Sequence, residues 1–367
     1  MVLSLFERRF KISNNTKMET NCKVKKMNSI EAFRFIFMLM ICIWHYQGTK
    51  VLAHGYMAVE FFFILSGVLM FFSSNKEYAL GTLDYTMKKV KRFAPDCLLL
   101  IAYVNLRHMI LPVLLGRKEL DVSWLLQALP ESLFLQNTGI YTGGVNFPMW
   151  YVSVLLFGGA FVYALLRFNK RLALSIILPM IVLVGYTYIF SMDKRGRVDG
   201  FDLHGGIYTP MLRGVCGISL GVVLGYIFVL KKQYILCVKT WVIDALGMIS
   251  LCLFLIFAIF PTSQSYDRYL LIIVPFLLLA CFVEKSLFNK LFGNKCWAIL
   301  GGYSWQMLVY HGRIIIPLYV LLKTAFKFAI PLWLDLLLFS IVCVGVSAFF
   351  KMLVPKITLI VRKMVFK

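Results

Sequence analysis

An arginine and a histidine share one face of the first apolar segment, IEAFRFIFMLMICIWHY. Arg34 and His45 are eleven residues apart, which on an α-helix is about 1100° of rotation, within roughly 20° of whole turns, and about 16.5 Å of rise. Glu31 lies three residues before Arg34, where the two side chains can pair. An imidazole in this position can act as a general base or carry an acyl group. The guanidinium can bind an anion or stabilise developing negative charge.

Other ionisable residues also lie within or at the ends of apolar segments. Glu60 opens the second segment, and we expect it at the depth of His45, where a carboxylate would orient the imidazole. His311 and Arg313 lie in the ninth segment, and Arg213 lies in the sixth. Burying such groups in hydrocarbon costs ~2.5–3.5 kcal/mol each on insertion scales. Each of these residues alone could have a structural role, orienting a helix or lying at the membrane interface. As a set they favour a polar site inside a helical bundle.

A cluster of basic residues follows the second apolar segment, in the stretch LDYTMKKVKRFAP. We interpret this stretch as a loop whose basic residues, on composition alone, anchor it to lipid headgroups; the alternative is that they attract a polyanion from the cytosol. The cluster consists of Lys88, Lys89, Lys91 and Arg92.

The composition indicates an all-α, polytopic transmembrane helical bundle. Of 367 residues, 60% are hydrophobic and 15% are charged, whereas soluble domains carry about 25% charged residues. The apolar residues fall in ten blocks of the length needed to cross ~30 Å of hydrocarbon. The net charge of +22 comes from short basic clusters between the blocks, so we expect no nucleic-acid partner. The predicted spans are 30–49, 55–73, 94–115, 148–167, 172–190, 207–230, 240–260, 268–284, 296–321 and 332–354.

The distribution of basic residues predicts the orientation. With the N-terminus in the cytoplasm, 26 Lys and Arg fall on the cytoplasmic side and nine on the outer side, as the positive-inside rule requires. Both termini are then cytoplasmic, and we expect a multi-pass protein of the plasma membrane. We divide the chain into a basic N-terminal segment, 1–27, a transmembrane domain, 28–354, and a cytoplasmic tail, 355–367. The outer segment 116–147 contains WLLQALPESLFL, which is too short to cross and should lie at the interface or fold back.

Two further patterns concern packing. Gly217, Gly221 and Gly225 repeat every four residues, a spacing typical of close helix–helix contact. The nine cysteines contain no CxxC pair, so we expect neither a disulfide framework nor a metal site.

Taken together and in this order, the motifs resemble those of the acyltransferase 3 family of membrane-bound O-acyltransferases. IEAFRFIFMLMICIWHY resembles the family's acid–x–x–Arg…His helix, and VEFFFILSG its acid–Phe-Phe–Leu-Ser-Gly segment, with Glu60 where Asp is usual. KKVKRFAP resembles a basic pair followed by Pro, with Lys89 in place of the usual Arg and Arg92 as its partner. PMWYVSVLLF resembles the Trp-bearing fourth span, without the acid that often follows, and GGYSWQMLVYHGRI the late Tyr-Ser…His segment.

The resemblance implies transfer of an acyl group, by default acetyl, from cytosolic acetyl-CoA to a hydroxyl of a surface or lipid-linked glycan. Family members often carry an extra extracellular esterase-like domain. This chain shows none, so we expect it to act alone, as a homo-oligomer, or with a separate extracytoplasmic transferase. The alternatives are a transporter or flippase for lipid-linked glycans and a non-enzymatic scaffold or receptor. The implied catalytic residues are His45, Glu60 and Arg34; the donor would bind to Lys89, Arg92 and Arg34, and the acceptor to Trp150, Tyr151, His311 and Arg313.

Overall fold

The computed structural model describes residues 28–76, 78–116, 121–193, 195–204, 206–326 and 330–365. The predicted N-terminal segment 1–27 lies outside these ranges. Within them, ten helices are long and apolar enough to cross a membrane, which confirms the predicted number. In chain order, the ten spans are Asn28–Lys50, Gly55–Ser74, Thr82–Leu114, Phe147–Phe168, Lys170–Met192, Thr209–Leu230, Thr240–Ile259, Gln264–Phe282, Lys295–Ala325 and Leu332–Met364.

Short elements connect the spans. A two-stranded antiparallel hairpin precedes the sixth span, with Leu203 opposite Tyr208. Its strands are β1, Leu203–His204, and β2, Ile207–Tyr208, and the short helices outside the spans are Ser123–Ser132, Lys232–Cys237 and Leu287–Phe292.

The third span begins earlier than predicted, at Thr82 instead of residue 94. The basic cluster after the second span is therefore helical, and its interpretation as a loop is wrong. One face of these first turns is buried although the sequence is polar: the ring of Tyr85 stacks on that of Tyr163 in the fourth span, with centroids 4.0 Å apart. This packing holds the helix in place despite its low hydropathy, because helices in proteins depend mainly on a packed face.

The tenth helix also exceeds its prediction. It runs without interruption from Leu332 to Val365 and passes through Pro355. The predicted tail 355–367 therefore continues this helix as far as the structure describes it.

Glycines bring the second and sixth spans into close contact, as predicted from their spacing. A Cβ added at Gly221 would overlap the backbone of Ile64 and Gly67 in the second span. Gly217 and Gly225 lie against the same span. Such contacts between small residues replace the hydrophobic effect as the source of helix association within a bilayer.

The ninth span is broken once, by a turn. A helix Lys295–Gly301 ends at this turn, and the chain is then helical from Ser304 to Ala325. This second part consists of the helix Ser304–Tyr310, a wider π-helical turn His311–Ile315 and the helix Ile316–Ala325. We call Ser304–Tyr310 the middle helix; it has seven residues.

The segment between the third and fourth spans folds back on the bundle, as predicted for its apolar patch. Its helix, Ser123–Ser132, packs against the third span. The ring of Trp124 stacks on His108, with centroids 4.5 Å apart. Ala128 and Glu131 are buried in this contact.

Candidate active site

A cavity of about 290 Å³ lies among the first, second, third, fourth and ninth spans. The first span contributes Arg34, Met38, Ile41 and His45 to its wall. Their spacing of four, three and four residues follows the helical repeat, which confirms that Arg34 and His45 share one face. The other predicted residues in the wall are Lys89, Arg92, Trp150, Tyr151 and His311.

One end of the cavity is basic. We define the basic end by Arg34, Lys89 and Arg92, all of which line the cavity. Nη1 of Arg34 lies 3.0 Å from Oε2 of Glu31, which confirms the predicted pair, and Arg92 is close enough to Arg34 for their charges to interact. The ammonium of Lys89 lies 4.7 Å from the centroid of the Tyr85 ring. Three cations against the carboxylate of Glu31 leave this end positively charged among the residues that the structure describes.

The other end, the histidine end, carries His45 and His311. Their ring centroids are 4.9 Å apart. Nδ1 of His45 lies 2.9 Å from the carbonyl oxygen of Ile41, and Nδ1 of His311 lies 2.8 Å from that of Met307. A carbonyl oxygen only accepts hydrogen bonds, so both Nδ1 atoms carry the proton and both Nε2 atoms present a lone pair.

The two imidazoles differ in exposure. The His45 side chain is exposed, whereas His311 is fully buried. Nε2 of His311 is buried without a hydrogen-bond partner among the described residues. Because buried polar atoms are rarely left unpaired, this nitrogen has an unused capacity to accept a hydrogen bond.

Glu60 has other partners than the predicted one. Its Oε1 lies 2.6 Å from Nε of Arg213, and its Oε2 accepts a hydrogen bond of 2.9 Å from the hydroxyl of Tyr186. Arg213 also pairs with Asp199 at 2.7 Å. The predicted contact between Glu60 and His45 is therefore wrong. Glu60 and Arg213 are both fully buried, and in such an environment a carboxylate pairs with a full positive charge in preference to a neutral imidazole.

Arg313 lies next to the histidine end without lining the cavity. Its Nε donates a hydrogen bond to the carbonyl oxygen of Val145. Glu131 anchors the same stretch by accepting the backbone N–H of Asn146 at 3.1 Å. Burial raises the pKa of the Glu131 carboxyl to about 7. Arg313 thus fastens the segment before the fourth span, and its contact with an acceptor stays a prediction.

Two residues of this region, Trp305 and Asp96, are not among the predicted site residues. Trp305 lines the cavity between the two ends. Asp96 is buried behind it and accepts a hydrogen bond of 2.9 Å from the Trp305 indole. The available signal was the carboxylate itself, because Asp96 is an ionisable residue within the predicted span 94–115.

Comparison with known proteins assigns the chain to a family. Residues 27–352 match the acyltransferase 3 family, described as an acyltransferase domain. The chain is therefore a multi-pass membrane protein of the acyltransferase 3 family.

The relatives are proteins of Staphylococcus aureus that are named provisionally as O-acetyltransferases. Those of strains MSSA476 and MRSA252 are each 24% identical over 334 residues, which covers 82% of this chain and 53% of the relative. That of strain COL is 25% identical over 336 residues, with the same coverage. The chain thus spans about half the length of the curated relatives it matches. No solved structure matches the chain.

Proposed function

We propose that this protein is an O-acyltransferase of the plasma membrane that moves an acetyl group from cytosolic acetyl-CoA to a hydroxyl of an extracytoplasmic or lipid-linked glycan. The family supports acyl transfer, and the names of the relatives support acetyl transfer to oxygen. The charge distribution supports an orientation with the basic end toward the cytoplasm. A hydroxyl acceptor on the other side would then enter at the histidine end.

The observation that carries this proposal is one cavity that joins the basic end to the histidine end. Along the first span, Arg34 and His45 are separated by about 16.5 Å of helical rise. A donor with a long flexible arm can therefore bind through its phosphates at the basic end and present its thioester at the histidine end. Acetyl-CoA has this form, with phosphates at the nucleotide and the thioester at the tip of the pantetheine arm.

At the basic end, Lys89, Arg92 and Arg34 would bind the donor phosphates. Charge-assisted hydrogen bonds to phosphate are stronger than neutral ones. No carboxylate is among the described residues that line the cavity, and Glu31 pairs with Arg34 from outside this lining. Arg34 is held by Glu31 in a fixed orientation, which reduces the entropy that would be lost when the guanidinium binds an anion.

At the histidine end, His45 would act as the general base. Its Nε2 lone pair takes the proton of the acceptor hydroxyl, and the oxygen attacks the thioester carbonyl carbon. The C–O bond forms, the C–S bond breaks, and CoA leaves as a thiolate that takes up the proton. The bond from Nδ1 to the carbonyl of Ile41 holds the ring in the required tautomer.

The acceptor would lie against Trp150 and Tyr151, which line the cavity. The unpartnered Nε2 of His311 would accept a hydrogen bond from a hydroxyl of the acceptor. His311 would thereby orient the acceptor while His45 removes the proton that is lost in the reaction.

A sided transfer assay tests the proposal. Purified protein is reconstituted in liposomes, with acetyl-CoA carrying a labelled acetyl group on one face and methyl glycosides on the other. We expect a labelled acetyl ester of the glycoside and stoichiometric release of CoA. Glycoside flux without consumption of thioester would contradict the proposal and support a transporter.

A further inference from the structure

The short middle helix of the ninth span, Ser304–Tyr310, is held from one side by a single carboxylate. Asp96 of the third span is buried, with 5% of its surface exposed. It accepts hydrogen bonds from the Trp305 indole at 2.9 Å and from the Tyr310 hydroxyl at 3.0 Å. Two donors of one seven-residue helical segment therefore meet on one side chain of another span.

The same helix sets the wall of the cavity. Trp305 lines the cavity, and His311 follows directly after Tyr310. Nδ1 of His311 is fixed to Met307 and Leu308, which are residues of this helix. A rotation or a slide of the helix therefore moves both the indole and Nε2 of His311.

A turn at Gly302 and Tyr303 separates the middle helix from the helix before it, and its other end continues into the wider π-helical turn His311–Ile315. Aromatic stacking supports it laterally: Trp305 stacks on Phe93 with centroids 4.5 Å apart. The two hydrogen bonds to the Asp96 carboxylate are directional, so they are the contacts that specify the rotation of this helix.

We propose that Asp96 is a positioning residue, which sets the rotation of the helix Ser304–Tyr310 and so the positions of the His311 imidazole and the Trp305 indole in the cavity wall. The effect on turnover expected from this inference rests on the proposed function, whereas the effect on the helix rests on the contacts alone. Asp96 lies on the same helix as Lys89 and Arg92. It thereby links the element that binds the donor to the element that orients the acceptor.

Asp96→Asn tests the proposal. The amide of Asn has one acceptor oxygen, so its NH₂ group would face either the Trp305 indole N–H or the Tyr310 hydroxyl and that hydrogen bond would be lost. We expect kcat to fall at least tenfold while the KM for acetyl-CoA stays within twofold, because the basic end is unchanged. Asp244→Asn is the matched control, since Asp244 accepts the backbone N–H of Leu287 at 2.7 Å outside the cavity. It should change neither constant.

Tyr310→Phe provides a milder variant that keeps the stack on Phe350, whose ring centroid lies 3.9 Å away. It should lower kcat several-fold. The double variant with Asp96→Asn should be no worse than Asp96→Asn alone, because both changes break the same contact. Additive losses, a rise in the KM for acetyl-CoA, or wild-type kcat in both single variants would each overturn the proposal.

Hydrogen exchange of the backbone amides tests the structural part without any turnover. In nanodiscs, Asp96→Asn should raise the exchange rates of residues 304–310 at least tenfold, and Asp244→Asn should leave them unchanged. Unchanged rates in Asp96→Asn would overturn the proposal. A wild-type protein that transfers no acetyl group would contradict the proposed function and leave this exchange result standing.

Discussion

The buried ion pair of Glu60 and Arg213 gives the sharpest prediction about stability. Both side chains are fully buried, and the charged atoms are 2.6 Å apart. Breaking a buried pair by removing one partner costs about 3–5 kcal/mol, because it leaves an uncompensated charge. In Glu60→Gln, Arg213 keeps its contact with Asp199 at 2.7 Å. We therefore expect Glu60→Gln to lower the free energy of unfolding by about 2–3 kcal/mol, somewhat less than a complete break.

The assay is equilibrium unfolding in mixed dodecylmaltoside–SDS micelles, together with kcat normalised to folded protein. Asp193→Asn is the matched control, because Asp193 pairs with Arg197 at 3.4 Å between partly exposed side chains. It should lower the free energy of unfolding by no more than about 1 kcal/mol. The kcat of folded Glu60→Gln should remain near that of the wild type, since Glu60 makes no contact with His45. A tenfold loss of kcat with unchanged stability would refute this reasoning and return Glu60 to the chemistry.

Three further predictions concern packing, donor binding and pH. Gly221→Ala should lower the free energy of unfolding by at least about 1–3 kcal/mol through overpacking. Gly345→Ala is the control and should be neutral, because a Cβ added there would meet nothing within 4 Å. Equal unfolding curves for the two variants would contradict the close contact at Gly221. Lys89→Ala should raise the KM for acetyl-CoA roughly tenfold. Lys91 is exposed on the same helix, so Lys91→Ala should leave this KM unchanged. A steady-state KM that is unchanged in both variants would mean that neither lysine binds the donor. Burial raises the pKa of Glu131 from 4.5 to about 7, which corresponds to about 3 kcal/mol. The folded state therefore binds more protons, and stability falls as the pH rises through this window. Glu131→Gln should abolish this fall in melting temperature, and its persistence would show that another group is responsible.

The sequence was sufficient for features that depend on helical periodicity. The common face of Arg34 and His45 follows from the helical repeat alone. The close contact at Gly221 follows from the four-residue spacing of small side chains. The number of spans follows from the length of the apolar blocks.

Features that depend on contacts between distant spans were beyond this reasoning. Glu60 and Arg213 are 153 residues apart in the chain, and nothing local distinguishes Arg213 from His45 as the partner of Glu60. The early start of the third span was missed because its first turns are polar, although tertiary packing keeps them helical. The role inferred for Asp96 depended on contacts with the ninth span, whose Trp305 and Tyr310 lie 209 and 214 residues further along the chain.

The replacement of His45 by alanine tests the central claim most directly. The measurement is the turnover of labelled acetyl-CoA with a glycoside acceptor in proteoliposomes, normalised to folded protein. We expect kcat to fall by about 10²–10⁴-fold, the usual contribution of a general base. The melting temperature should change little, because the variant removes a costly polar group from the membrane. A variant that retains more than about a tenth of the wild-type turnover would show that His45 is not the base.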